Sequence, residues 1–126
     1  MKRSWIGFFL LIALLLCSML SARFMVRIHE PMEAELIQAA SHAAEGRWEQ
    51  ADICFRSAEA RWKHTEHLRS CFADHTPVEE IDADFALLKV LGASRETVSF
   101  AGGCLQLARQ VAAVGEAHEC VWWNLL

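Results

Sequence analysis

The chain has 126 residues, 54% of them hydrophobic, and a formal net charge of −4. That length supports one small domain and argues against two. Residues 28–126 hold all 16 acids but only 8 Lys/Arg, a net of −8, which disfavours nucleic acid and anionic lipid as diffuse partners; solubility accounts for such a surface.

Lys2 and Arg3 precede an uncharged run, Trp5 to Ala22, and Arg23 and Arg27 follow it. As a helix the run reaches about 27 Å, close to the ~30 Å hydrocarbon core of a bilayer. A retained signal-anchor is the preferred reading, with residues 5–22 in contact with membrane lipid. A cleaved signal fits less well, because Leu20 is a poor small residue near a cut after Ala22. Lipidation at Cys17 fits less well still, since Leu16 is not small. The distribution of basic residues gives a slight preference for a cytoplasmic N-terminus and an extracytoplasmic domain.

The division expected is an anchor over residues 1–28 and a helical domain over 29–126. Tyrosine is absent, and the two prolines, Pro31 and Pro77, fall where helices are expected to begin. No β-period run occurs. The first soluble helix is expected over about 31–45, with Leu36, Ile37, Ala40 and Ala44 as its apolar side and Gly46 ending it. The second starts near Arg47 and runs to about Asp74, with Trp48, Ala51, Phe55, Ala58, Trp62 and Phe72 as its stripe. Gly46, Trp48, Ala51, Phe55 and Ala58 match half of a tetratricopeptide repeat, but no second copy follows. Their useful content is close packing of the first two helices.

Thr76 and Pro77 open the third helix, where Val78, Ile81, Phe85 and Leu88 face one way. Gly92 closes it and Ser94 is a candidate cap for the fourth. The fourth helix has a seam of Phe100, Cys104, Leu107, Val111, Val114, His118, Val121 and Leu125. Gly102-Gly103 interrupts it, which close helix approach or a late start would explain. The fold class is therefore all-α: an N-terminal transmembrane helix followed by a small antiparallel bundle of about four helices.

His64, His67, Cys71 and His75 lie at helical spacing on one face and are the candidate metal ligands. A single helix rarely completes such a site, so Cys120 or Glu119 from elsewhere would have to join. A polar surface that happens to carry three histidines is the simpler reading. If the domain is exported, Cys54–Cys104 and Cys71–Cys120 are the sensible disulfides; free thiols are preferred. Glu79-Glu80 and Asp82-Asp84 read better as first-turn acids on a helix dipole than as a catalytic pair. No phosphate loop, serine elbow or zinc-finger spacing is present, so neither an enzyme nor a cofactor is expected.

Trp48 with Ala51, Trp62 with His64, Leu68, Phe72, His75, Val78, Ile81, Phe85, Leu88 and Asn124 stand in a distinctive order and spacing. On these the chain resembles the DUF4363-like family, short bacterial membrane-anchored helical proteins catalogued as a domain of unknown function. The resemblance covers nearly the whole chain. Thr76-Pro77-Val78-Glu79 and Trp122-Trp123 depart from its usual pattern. It implies the architecture and a membrane location, and no activity. The leading functional expectation is an accessory or interaction subunit of a membrane assembly, with an unidentified membrane protein as partner. Trp122 and Trp123, off the fourth-helix seam, are the candidate partner-binding residues. The alternatives are a metal- or redox-responsive sensor using the His/Cys face, and a structural membrane-proximal spacer.

Overall fold

The computed structural model describes residues 2–66 and 76–120, with side-chain surroundings for 4–66 and 77–116. Four helices have their bounds among the described residues: α1 (Lys2–Ala44), α2 (Trp48–His64), α3 (Thr76–Ala93) and α4 (Thr97–Cys120). No strand occurs among the described residues. Paired residues set an antiparallel register. Gln38 faces Cys54 and Glu35 faces Ser57 across α1 and α2, while Gly103 faces Leu88 and Gly92 faces Phe100 across α3 and α4. α1 lies against both α2 and α4, α3 is held mainly by α4, and α2 and α3 touch only slightly.

The anchor run and the first bundle helix form one unbroken element. α1 passes through Pro31 without ending there. Proline lacks an N–H and so removes one helical bond, to the carbonyl of Arg27. The helix survives because the packing that holds it begins before the proline. Met25, His29, Met32, Leu36, Ala39 and Ala43 are buried, at alternating steps of four and three. This corrects the expected apolar side: Leu36 and Ala40 are buried, but Ile37 is 44% exposed and Ala44 is exposed, while Met32, Ala39 and Ala43 take their places. Taking Pro31 as a start hid the residues that set the phase.

The other stripes agree more closely with expectation. Ala51, Phe55, Ala58 and Trp62 of α2, Ile81, Phe85 and Leu88 of α3, and Phe100, Cys104, Leu107 and Val111 of α4 are all buried. α2 closes at His64, short of the expected Asp74. Thr65 follows as a single turn residue: its N–H still reaches the carbonyls of Arg61 and Trp62, its hydroxyl donates to the Trp62 carbonyl at 2.7 Å, and Glu66 is helical again. Phe72 and the rest of 67–75 lie outside the described residues, as do Val121 and Leu125.

An aromatic ladder crosses the interior. Ring centroids are 5.5 Å apart for Trp48–Phe100, 5.7 Å for Phe100–Phe55, 5.7 Å for Phe55–Phe85 and 6.3 Å for Phe85–Trp62. His29 continues it at 6.3 Å from Trp62. Such pairs add about 0.5–1.5 kcal/mol each beyond burial. The Trp62 indole N–H donates to Asp82 Oδ1 at 2.6 Å, a side-chain tie between α2 and α3, whose backbones touch only slightly.

Both tight turns have one geometry. The Gly46 N–H reaches Ala43 O and the Arg47 N–H reaches His42 O; the Arg95 N–H reaches Gly92 O and the Glu96 N–H reaches Leu91 O. These are paired Schellman bonds around one left-handed residue, Gly46 at φ 76° and Arg95 at φ 54°. Ser94 does not cap α4: its hydroxyl donates back to Val90 O, and Glu96 O accepts the first α4 bond, from Phe100.

The paired glycines of α4 have different surroundings. A Cβ on Gly103 would lie 2.4 Å from Leu88 Cδ2, whereas nothing lies within 4 Å of one on Gly102. Close approach of α3 and α4 therefore explains Gly103. The helix begins before the pair, at Thr97, so a late start is not the cause.

Candidate functional site

Of the four candidate metal ligands, His64 alone is described. It sits in the last turn of α2, exposed, away from the buried stripe, as the helical phase predicts. His67, Cys71 and His75 lie outside the described residues, as do Trp122 and Trp123; Glu119 and Cys120 fall in α4, but their side chains are not described. Among the described residues no group of three or more His, Cys, Asp or Glu is placed to hold a metal.

The described cysteines Cys17, Cys54 and Cys104 are free thiols. Cys54 points to α1, with its Sγ 3.8 Å from Gln38 Oε1, while Cys104 is in the core. Burial pushes the Cys104 thiol up to about 12, and burial with the nearby Glu35 carboxylate raises that of Cys54. Both shifts favour the thiol over the thiolate, which is the nucleophile and the metal ligand.

The acids after Pro77 divide by position. Glu79 lies in the first turn of α3, where the helix dipole favours it. Asp82 is the acceptor for Trp62. Sequence spacing did not reveal that role, although a buried tryptophan on a helix stripe needs an acceptor for its N–H.

The thin α2–α3 contact opens a cleft of about 550 Å³ at the end of the bundle that holds both tight turns. Trp48, Phe55, Leu88 and Phe100 line its apolar part, and Glu49, Asp52, Arg56, Lys89 and Arg95 supply charges. Arg56 pairs with Asp52 at 2.9 Å, and Lys89 reaches Glu59 at 3.6 Å. Gly92 leaves room for the Phe100 ring, whose Cε2 would be 3.1 Å from an added Cβ. An aromatic floor with a mixed-charge rim suits an amphipathic side chain or helix edge from another protein.

Two grooves flank α1 near the other end of the bundle. On the α2 side, Phe24, Arg27, Ile28, Pro31, Arg61 and His64 are among the residues around about 640 Å³. On the α4 side, Glu30, Glu33 and Glu116 with Val26 and His29 are among those around about 210 Å³. One flank is basic and the other acidic. Beyond them, toward the N-terminus, α1 leaves the bundle with its apolar side chains uncovered: Trp5, Phe9, Leu14 and Leu20 are 62%, 63%, 62% and 66% exposed. This helix is long and apolar enough to cross a membrane.

No curated protein and no solved structure matches the chain. The family model described as a domain of unknown function, DUF4363, matches residues 19–125, which takes in the bundle and the end of the apolar run. The chain belongs to that family.

Proposed function

We propose that the protein is a single-pass, membrane-anchored interaction module, an accessory subunit of a membrane assembly. Its N-terminus is cytoplasmic and its bundle extracytoplasmic. The observation that carries this reading is the continuity of α1. The uncovered apolar segment and the buried heptad stripe belong to one helix, with no linker between them. A bundle attached this way has little reach, so its partner is at or in the same membrane. The cleft between α2 and α3 is the surface offered to that partner.

The test has two parts. The full chain should stay with membranes through alkaline extraction and leave them only in detergent. A photo-crosslinking residue at Arg56 or Lys89, on the cleft rim, should then give one discrete adduct with a membrane protein, while one at Gln106 gives none. Release by alkali ends the anchoring part. Adducts of the same pattern from Gln106 and the rim, or none from the rim, end the assignment of the cleft.

A further inference from the structure

We propose that the basic groove between α1 and α2 is a headgroup site for an anionic phospholipid. The inference rests on the anchoring reading and adds a specific lipid to it. Its first support is height. Arg27 lies five residues beyond Ala22, where the apolar run ends. Along an upright helix that is about 7.5 Å. The polar layer on each side of a bilayer is about 5–7 Å thick. Arg27 is therefore at the outer edge of that layer, and helical side chains tilt back toward the N-terminus, into it.

Its second support is chemistry. Arg27 from α1 and Arg61 and His64 from α2 converge on the groove with Phe24 and Ile28. Guanidinium groups and an imidazole N–H suit a phosphate diester, and Phe24, on the membrane side of Arg27, suits the first carbons of the chains. Phe24 is 57% exposed and continues the uncovered surface of the anchor. Among the described residues Arg27 has no carboxylate partner, whereas Arg61 shares Glu35 with Ser57 at 3.0 Å and 2.8 Å.

The C-terminal helix dipole alone explains basic residues in the last turn of α2, Arg61, Lys63 and His64. It does not explain Arg27, which belongs to another helix. Thr65 bonds to the carbonyls of Arg61 and Trp62, which blunts the negative end of α2 toward an anion. The acidic groove on the opposite flank gives the lipid a side to choose. The net charge of residues 28–126 argues against diffuse attraction to anionic lipid; a local groove of this composition does not need it.

The full chain, reconstituted in nanodiscs of phosphatidylglycerol and phosphatidylcholine, is transferred to the gas phase and its retained lipids counted by native mass spectrometry. Phosphatidylglycerol should be retained preferentially. Arg27→Gln or His64→Gln should each reduce that preference, Arg27→Gln about fivefold, the contribution of one basic residue at a bilayer surface. Arg109→Gln, a matched change at an exposed position of α4, should leave it unchanged. Unchanged retention in both groove variants, or equal loss in Arg109→Gln, overturns the site. Displacement of the lipid by millimolar inorganic phosphate overturns it in favour of a free anion. Flotation with pure phosphatidylcholine vesicles reads the anchor separately. A chain that floats but shows no lipid preference loses only the site; one that does not float loses the anchor and the site together.

Discussion

The first half of α1 turns Trp5, Phe9, Leu14 and Leu20 outward on every side, while the second half hides Met32, Leu36, Ala39 and Ala43 along one stripe. Both halves are apolar and helical, yet only the second has a phase. In water a helix gains by burying one face, so its apolar residues must recur every three or four positions. In hydrocarbon no face needs hiding, and apolar residues are welcome all round. Met25 is where phase begins, two residues after Arg23. The change of rule within one helix locates the boundary better than Pro31 does.

This comparison breaks if the two halves depend on each other. The largest expected effect is in the phased half's core. Trp62→Ala removes a 1%-exposed indole, its bond to Asp82 and its contacts with Phe85 and His29. About 3–5 kcal/mol of bundle stability should be lost, read by denaturation of the full chain in detergent. Membrane retention should stay as it was. In the unphased half, Leu14→Arg places a charge near the middle of the run and should cost about 2.5–3.5 kcal/mol of insertion. Membrane retention should fall while the melting transition of the bundle is unchanged. If either variant damages both properties, α1 is not divided as described.

The stripes of α2, α3 and α4 were legible because each has at least four positions in one phase and no competing start signal. The phase of α1 was not, because a proline in the first turn is a common start and Pro31 offered one. Only the burial of Met25 and His29 overrides it. The break at Thr65 was not legible either: it is one turn residue before the helical Glu66, and threonine appears inside helices too often to mark an end. The α2–α3 cleft was invisible in the sequence. Its lining residues Trp48, Phe55, Leu88 and Phe100 were all recognised as apolar stripe, but the gap between two helices is set by how bulky rings pack across it.

Adjacent glycines sharpen the account of α4. Gly103→Ala drives a Cβ against Leu88, which must swing toward the cleft; a loss of about 1–2 kcal/mol is expected. Gly102→Ala meets nothing and should gain up to about 1 kcal/mol from helix propensity. Thermal melting of the two single variants should therefore move in opposite directions. A similar gain from both would show that α3 and α4 can separate at Leu88 at little cost.

The smallest effects expected are at the two turns, which share one backbone path but not one residue type. Gly46 adopts its left-handed conformation freely, and nothing lies within 4 Å of an added Cβ, so Gly46→Ala carries backbone strain alone, about 1 kcal/mol. Arg95 holds the equivalent conformation with a side chain and already bears that strain. Arg95→Gly should relieve it, less the extra entropy of glycine in the unfolded chain, for a net gain of about 0.5 kcal/mol. The two substitutions exchange the chemistry of the turns and should shift the melting midpoint in opposite directions. A loss on Arg95→Gly would mean that the arginine side chain, at the rim of the cleft, contributes more to the fold than its backbone conformation costs.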